Sequence, residues 1–500
     1  MSIWLDKRTR ARLRSAEEAA YQSPLPMRVV SNGEHVPPPQ TPSQRQVELE
    51  LARIAERNGA RLGMDRRGFL ASAAGIAAGL MAMNKVHGAL FQVAPSEVED
   101  PAAAAAARTA LDHQFIFDVQ LHFVHDAYSF EGLLGLRELA KQWNDRLQGE
   151  QVTFDKYKFD NFVKEVYLDS QTDIGLLSGA PSDDLDNWFL SNRQLAEARA
   201  VVNAVAGSRR LLCHSVFTPG RPGWLDDLDR AIEELRPDSW KGYTIGDPLQ
   251  PSQWPWRLDD EKLVYPAYER MRKAGITTVC IHKGLLPEDY ANAFPEQWQY
   301  AKVDDVGQAA KDWPDLRFVI YHSGLKPFGT LPEAHLQRFE ETGRIDWVTD
   351  LAEIPERFGV DNVYAELGTT FASSAVVHPR HCAALLGTLI SGMGKDHVLW
   401  GTDSVWYGSP QWQIEAFRRI EIPEDMQQAR GFAPLGPADG PVRNAILGHN
   451  AARLYGIELD QAGKPADLHG DTFARLRADY QAAGIQPSNR AYGYVAGDRS

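Results

Sequence analysis

Eight short runs rich in β-branched and aromatic residues alternate with longer helical stretches between residues 115 and 403. The runs are FIFDVQ, DIGLLSG, RLLCHSVF, SWKGYTIG, TTVCIH, RFVIYH, NVYAEL and HVLWGTD. The stretches between them, such as SNRQLAEARAVVNAVAG and EKLVYPAYERMRKAG, have helical periodicity, and several end in a glycine suited to a helix C-terminus. Strands that alternate with helices are typical of parallel βα units. A count of eight predicts an α/β fold, a closed (β/α)8 TIM barrel with an N-terminal extension.

The chain outside the barrel divides into three further regions. We assign residues 1–63 to the extension, in which HVPPPQTPSQ predicts a flexible arm and VELELARIAERNGARLG predicts a polar helix. Residues 64–90 hold a candidate export signal, and residues 112–460 hold the barrel. Residues 461–500 form a C-terminal tail that we expect to pack one last helix before it loosens into a polar terminus.

Charge and cysteine content narrow the functions open to this chain. The 500 residues carry a formal net charge of -14, which disfavours a general nucleic-acid binder because phosphate neutralisation needs clustered Lys and Arg. We therefore expect a small-molecule substrate and no nucleic-acid partner. Cys213, Cys280 and Cys382 have no CxxC spacing, so we predict free thiols rather than a disulfide framework or a zinc ribbon.

Residues 64–83, MDRRGFLASAAGIAAGLMAM, have the order of charged and apolar regions that an export signal needs. Arg66 and Arg67 precede a Phe-Leu pair and a weakly apolar Ala/Gly-rich stretch. We expect export to the periplasm, with the twin-arginine export machinery as a partner. A cytoplasmic protein with an ordinary buried helix here is the alternative, since 63 residues make a long leader and no clear A-x-A cleavage site follows. Cleavage of the signal is left open.

Polar side chains recur at the C-terminal ends of the expected strands. They are Gln120 and His122 on the first strand, His214 on the third, Lys241 on the fourth, His282 on the fifth, His322 on the sixth, Glu366 on the seventh and Asp403 on the eighth. Active sites of TIM barrels lie at this end. A lone strand histidine is more often structural than ligating, but several His and one Asp at successive strand ends favour a metal site.

The residue types in this set indicate the chemistry. Neutral imidazoles and one carboxylate leave a divalent cation with net positive charge, which lowers the pKa of a bound water toward neutrality. We expect one divalent ion, zinc first and manganese or another divalent ion as alternatives. Residues two apart on a strand share a face, so Gln120 and His122 point the same way. Gln120 either ligates through its oxygen or holds a metal-bound water.

Longer motifs resemble a known family. From FIFDVQLHF through ILGHNAARLYGI the chain is similar to the amidohydrolase superfamily, specifically amidohydrolase family 2, and FVIYHSG and VLWGTDS strengthen the likeness. That branch contains metal-dependent hydrolases and decarboxylases similar to aminocarboxymuconate-semialdehyde decarboxylase. The segments SNGEHVPPPQTPSQRQ, MDRRGFL and LMAMNKVHG resemble exported members of the branch.

The resemblance implies roles for individual residues. In the family the first strand ends D-x-H-x-H, and both histidines bind the metal together with a fifth-strand His and an eighth-strand Asp. His122, His282 and Asp403 match these positions, whereas Gln120 occupies the place of the first His. His322 matches the sixth-strand His that orients water or acts as acid and base, and we expect it and Asp403 to be catalytic.

Three strand-end residues have weaker assignments. Lys241 is a substrate-carboxylate anchor, a carbamylated bridging ligand or, preferred over both, the ion-pair partner of Glu366. His214 is expected to support the site from behind rather than to bind the metal.

These observations favour a metal-dependent hydrolase of the amidohydrolase type that uses a metal-activated water on a small C–N or C–O substrate. A metal-dependent decarboxylase on the same scaffold is the first alternative. A non-catalytic binding protein with a degraded metal site is the second. A homo-oligomer is a further partner that the sequence leaves open.

Overall fold

The computed structural model describes most of the chain. The described residues are 13–15, 23–32, 34–35, 37–124, 159–246, 251–286, 290–326, 332–482 and 491–496. Parts of the regions assigned to residues 1–63, 112–460 and 461–500 therefore lie outside the described residues. All of the expected site residues lie inside them.

Eight parallel strands form one sheet in which each strand pairs with the next along the chain. They are β1 Phe117–Leu121, β2 Ile174–Leu177, β3 Leu211–Val216, β4 Ser239–Tyr243, β5 Thr278–His282, β6 Arg317–Tyr321, β7 Val363–Glu366 and β8 Val398–Leu399. The sheet closes where Leu121 bridges Ser404 and the Asp403 N–H donates to the Gln120 carbonyl at 2.9 Å. The predicted (β/α)8 TIM barrel with an N-terminal extension is confirmed.

Apolar side chains of the strands form a buried cluster inside the barrel. The cluster is closed off by the partly buried Tyr455 and Ile457; its members include Phe117, Val119, Leu176, Leu212, Cys280, Val319, Tyr321 and Leu399. A packed interior of this kind is a core and not a pore, which leaves the strand C-terminal end as the place for polar groups.

Helices surround the sheet. The longer ones after β1 are Asn192–Ala206, Tyr265–Lys273, Pro332–Thr342, Thr370–Val377, Pro379–Met393, Gln411–Arg419 and Thr472–Ala482. Shorter ones are Phe159–Val163, Trp224–Arg230, Tyr290–Ala293, Val306–Asp312, Val348–Ala352, Ile354–Phe358, Glu424–Arg430, Pro441–Asn444 and Asn450–Leu454. Helix Asn192–Ala206 begins with a capping box between Ser191 and Gln194, as its sequence suggests.

The described part of the extension, for which the Pro-rich composition predicts a flexible arm, packs against the main core. Leu25, Val29 and Val30 are buried in the main apolar core, and the Gln40 amide donates to the Met27 carbonyl at 3.2 Å. Helix Pro42–Leu62 follows, with a capping box at Thr41 and a left-handed Gly63 at its end. Within HVPPPQTPSQ, Pro37, Pro38 and Gln40 are buried as well, and the flexibility of this segment stays a prediction.

The candidate export signal is folded against this extension. The signal segment forms helices Arg66–Ala71 and Ala73–His87. Phe69 is buried, whereas Arg66 and Arg67 are exposed. Helices Pro95–Glu99 and Pro101–Thr109 lead on to β1. No helix among the described residues is long and apolar enough to cross a membrane.

The two ends of the chain meet. Strand Leu13–Ser15 pairs antiparallel with Tyr494–Ala496, and the Tyr492 N–H donates to the Trp406 carbonyl at 2.9 Å. The expected last helix is present as Thr472–Ala482. The tail was expected to loosen after it, whereas residues 491–496 return to the loop that follows β8.

Candidate metal centre

Two of the expected metal ligands meet where β1 and β8 close the barrel. His122 Nε2 lies 3.0 Å from Asp403 Oδ1, and both side chains are almost fully buried. The amide nitrogen of Gln120 donates to the same carboxylate oxygen at 3.1 Å. Gln120 and His122 therefore share a face, as their spacing on the strand predicts.

The fifth and sixth strands bring the other two histidines to the same space. The rings of His282 and His322 lie 4.7 Å apart, centroid to centroid, and His322 Nε2 is 3.4 Å from the amide nitrogen of Gln120. Tyr243 stacks on His282 at 4.5 Å, which fixes the plane of that imidazole. Gln120 thus links the β1–β8 pair to the β5–β6 pair.

The sequence analysis missed two residues that reach this space from the extension. The amide nitrogen of Asn32 donates to Asp403 Oδ2 at 2.8 Å. Glu34 Oε1 lies 3.5 Å from His282 Nδ1, and Glu34 Oε2 lies 3.8 Å from His322 Nε2. Among the described residues, the potential ligand atoms of Glu34, His282 and His322 form a group in which all lie within 4.8 Å of one another.

Asp403 is surrounded by hydrogen-bond donors. Besides Asn32 and Gln120, the Thr369 hydroxyl donates to its Oδ2 at 2.5 Å, and Thr369 in turn contacts the Tyr407 hydroxyl at 2.8 Å. Burial alone would raise the pKa of Asp403, but the hydrogen bond from His122 and the nearby imidazoles outweigh it and hold this pKa below its usual value. Thr369 lies three residues after Glu366, the last residue of β7, so a search of the loop after the strand, and not of the strand end alone, would have found it.

His322 has a defined tautomer. Its Nδ1 lies 2.8 Å from the Gly368 carbonyl, and because a carbonyl only accepts, Nδ1 carries the proton and Nε2 presents a lone pair to the site. Burial, reinforced by His282, lowers the pKa of His322 well below its ordinary value. Burial and then Lys241 do the same for His282. Both imidazoles are neutral at pH 7, as metal ligands and proton acceptors need to be.

The backbone at the strand ends is strained. His322, Thr369 and Asp403 have φ of 60°, 58° and 57°, a region that costs a non-glycine residue about 1–3 kcal/mol. Space is equally constrained: a Cβ on Gly401 would lie 1.8 Å from Glu366 Oε1, and one on Gly368 would lie 2.1 Å from Gln120 Oε1. Strain of this kind persists where surrounding contacts impose it, and it concentrates at functional sites.

The expected ion pair between Lys241 and Glu366 is absent from the described residues. Lys241 Nζ lies instead 3.2 Å from the centroid of the Tyr321 ring and has no hydrogen-bond partner there. Glu366 accepts the N–H of His322 at 3.0 Å and that of Gly368 at 2.5 Å. Burial raises the pKa of Glu366 to about 8 despite these bonds, and burial lowers the pKa of Lys241 to about 8. The preferred assignment was wrong because the Glu366 carboxylate is turned to backbone N–H groups, while the Lys241 ammonium lies over the Tyr321 ring.

His214 lies behind the site, not in it. Its Nε2 is 2.8 Å from the Tyr321 hydroxyl, and its Nδ1 is 2.8 Å from the Ser239 hydroxyl. Tyr321 donates onward to the Val119 carbonyl at 2.7 Å. These hydrogen bonds join β3, β4, β6 and β1 beneath the histidines, in agreement with a supporting role for His214.

The donor set fits a divalent cation. Several buried atoms of these side chains have no hydrogen-bond partner among the described residues: both ring nitrogens of His282, Nδ1 of His122 and Oε1 of Gln120. Buried polar atoms are otherwise almost always hydrogen-bonded. Imidazole suits zinc and iron, and carboxylate suits manganese and magnesium, so a mixed set accepts a first-row divalent ion.

Comparisons with known proteins place the barrel in a family. A family model described as Amidohydrolase (Amidohydro_2) matches residues 192–457, just over half of the chain. The match includes His282, His322 and Asp403 and begins after β1. A search of curated proteins found no match.

Solved structures were also compared. An uncharacterised TIM-barrel protein from Bordetella bronchiseptica is 18% identical, with a TM-score of 0.43 over 70% of this chain and 99% of that one. A 5-carboxyvanillate decarboxylase from Sphingomonas paucimobilis is 15% identical, with a TM-score of 0.37 over 69% and 100%. Another, from Novosphingobium aromaticivorans and complexed with manganese, is 12% identical, with a TM-score of 0.40 over 69% and 97%. Because the family model matches more than half of the chain, the chain belongs to the amidohydrolase family Amidohydro_2.

Proposed function

We propose that this protein is a metal-dependent hydrolase that cleaves a C–N or C–O bond of a small molecule. The observation that carries the proposal is a buried cluster in which the Gln120 amide nitrogen lies between the His122–Asp403 pair and the His282–His322 pair, with no hydrogen bond at His282 Nδ1 among the described residues. A divalent ion bound there would supply Lewis acidity to the scissile group and to a water molecule. His122, His282 and Asp403 would hold it.

The protein's own groups manage the proton. His322 keeps its Nδ1 proton on the Gly368 carbonyl, so its Nε2 accepts a proton from the attacking water and then returns it to the leaving group. Asn32 and Thr369 donate to Oδ2 of Asp403, and this leaves Oδ1 directed at His122. Preorganised donors of this type keep a charged group in place without reorganisation during the reaction.

A decarboxylase is the second candidate, and Lys241 is the observation that favours it. Its buried ammonium has no hydrogen-bonding acceptor among the described residues. It lies 5.2 Å from the ring centroid of Tyr243, which stacks on His282. A substrate carboxylate would neutralise this cation, and a decarboxylase needs a carboxylate substrate. In that reaction Nε2 of His322 would first take a proton from a water molecule or a substrate hydroxyl and then deliver it to the carbon that loses carbon dioxide.

One experiment separates the candidates. The purified full-length protein is analysed for metals, stripped, reloaded with zinc or manganese, and screened against small amides, esters, lactones and aromatic carboxylates in water labelled with heavy oxygen. Heavy oxygen in the product supports the hydrolase. Carbon dioxide released without label in the other product supports the decarboxylase. Failure to bind either metal contradicts both and favours a non-catalytic binding protein.

We also propose export by the twin-arginine pathway. Arg66 and Arg67 are exposed and begin a helix with Asp65 as its N-cap, and an apolar Ala/Gly-rich helix follows them. A pathway that carries folded proteins suits a chain whose metal site has to assemble before transport.

A further inference from the structure

We propose that Glu34 is a metal ligand supplied by the N-terminal extension, which compensates for the glutamine on the first strand. The inference rests on the proposed metal site. It adds a second carboxylate to Asp403 and makes the extension part of the functional centre.

The position of Glu34 carries the argument. Its two carboxylate oxygens face different histidines, Oε1 toward His282 Nδ1 at 3.5 Å and Oε2 toward His322 Nε2 at 3.8 Å. These separations are too long for hydrogen bonds. The separation between Glu34 Oε1 and His282 Nδ1 is of the length expected when two ligand atoms share a cation at about 2.0–2.2 Å from each, and the longer one leaves His322 Nε2 beside the carboxylate for the proton.

Asn32 fixes the carboxylate on the site side. The Glu34 N–H donates to the Asn32 side-chain oxygen at 3.1 Å, an Asx-type turn that holds the two residues together. The amide nitrogen of Asn32 then reaches both Glu34 Oε2, at 2.5 Å, and Asp403 Oδ2, at 2.8 Å. One side chain therefore sets the spacing between the two carboxylates.

The turn is anchored on its other side as well. The Ser31 hydroxyl donates to the His35 carbonyl at 2.5 Å, and Ser31, Asn32 and His35 are all buried. A Cβ on Gly493 would lie 2.2 Å from the Ser31 carbonyl oxygen, and the Gly493 N–H donates to the Trp406 carbonyl at 2.8 Å. The returning C-terminal segment thus contacts both the turn and the loop that also carries Asp403.

Gln120 leaves room for this extra ligand. Its amide nitrogen faces Asp403, His122 and His322, while its oxygen lies on the Gly368 side. An amide N–H is a donor and not a metal ligand, so ligation through the oxygen would need the amide to rotate. In this arrangement Gln120 orients Asp403, and the negative charge of Glu34 takes the place of the missing imidazole.

The exchange of imidazole for carboxylate has a consequence for the metal. Two carboxylates neutralise a divalent cation, and oxygen donors favour manganese more than imidazole does. We therefore expect removal of the Glu34 charge to weaken manganese binding more than zinc binding.

The test uses metal-stripped full-length protein. Manganese and zinc are titrated against a competing chelator for wild type, Glu34→Gln and Glu56→Gln. Glu56 is exposed on helix Pro42–Leu62, so its variant makes the same charge change in the same extension. Glu34→Gln should raise the Kd for manganese at least about tenfold and that for zinc less, whereas Glu56→Gln should stay within about twofold. Glu34→Asp should recover part of the loss, with far-ultraviolet circular dichroism as the folding check.

The outcomes are distinct. Equal manganese affinity in wild type and Glu34→Gln overturns the inference while the proposed metal site stands. Unchanged affinity together with higher activity also overturns it and identifies the turn as a plug over the site. Wild type that binds no divalent metal overturns the proposed function itself.

Discussion

The barrel strand ends and the N-terminal turn build one site in two different ways. His122, His282, His322 and Asp403 follow directly from strand positions, and parallel strands in order bring them together. Asn32 reaches Asp403 across 371 residues of sequence, and nothing in its surroundings indicates that contact. Local periodicity therefore predicts the half of a site that regular structure positions. It is silent on the half that a distant segment supplies.

The two regions are also held differently. Strand-end residues are fixed by the hydrogen bonds of the closed sheet, such as the His122 N–H to the Ser404 carbonyl at 2.7 Å. The turn is fixed by burial of the apolar residues before it and by the side chains of Ser31 and Asn32. The following predictions perturb each region in turn.

Asp403→Asn should have the largest effect. It removes the only carboxylate among the ligands proposed on the barrel, so we expect loss of bound metal by elemental analysis and at least about a hundredfold weaker manganese binding. Asparagine tolerates a φ of 57°, so the backbone need not change. Asp396→Asn, on the exposed approach to β8, is the matched control. A full metal complement in Asp403→Asn would show that Asp403 is not a ligand.

Leu25→Ala tests whether the extension is part of the cooperative fold. Leu25 is 1% exposed and fills space against Gly79, whose Cβ would lie 2.4 Å from its methyl carbon. We expect the free energy of unfolding to fall by about 2–4 kcal/mol in urea denaturation. Leu49→Ala, at a residue 54% exposed, should cost less than about 0.5 kcal/mol. Equal, small effects would mean that the extension is loosely attached.

Asn32→Ala should have a smaller effect on metal binding than loss of either carboxylate. The variant keeps Asp403 and Glu34 but removes the donor between them, and one hydrogen bond to a charged group is worth about 1.5–3 kcal/mol. We expect manganese affinity to fall about tenfold, with unfolding little changed. An unaltered Kd would mean that the turn does not position the carboxylates.

The barrel could be predicted in detail because each strand run is short, apolar and bounded by turns. FIFDVQ contains most of β1, and TTVCIH contains all of β5. HVLWGTD gives only the two-residue β8, since the chain after Leu399 leaves the ladder to place Asp403. The strand-end positions predicted which polar residues face the centre of the barrel. They did not predict which groups those residues contact. The cation of Lys241 was matched to a carboxylate by charge, whereas the Tyr321 ring lies nearer in three dimensions.

The flexible arm was predicted from the Pro-rich composition of the extension. HVPPPQTPSQ has the residues of a flexible linker, yet LPMRVV before it holds the apolar side chains that bury the segment. Proline limits the conformations of the unfolded chain, so it also lowers the entropic cost of an ordered path. Composition therefore allows both a flexible arm and an ordered segment. The sequence does not give the position of the barrel mouth, on which the choice between them depends.

Replacement of both Arg66 and Arg67 by Lys should have the smallest effect on the folded molecule. Both side chains are exposed, so we expect unfolding to change by less than about 0.5 kcal/mol, with manganese affinity equal to that of wild type. In cells, the same variant should accumulate in the cytoplasm if export depends on the paired arginines, and unchanged periplasmic delivery contradicts that dependence.

The intact mass of exported wild type adds a second test. The buried turn lies before the candidate signal, so a ligand at Glu34 requires that the mature protein retain it. An exported, metal-loaded protein that lacks residues 1–63 would separate the two regions and leave the barrel alone to bind the metal.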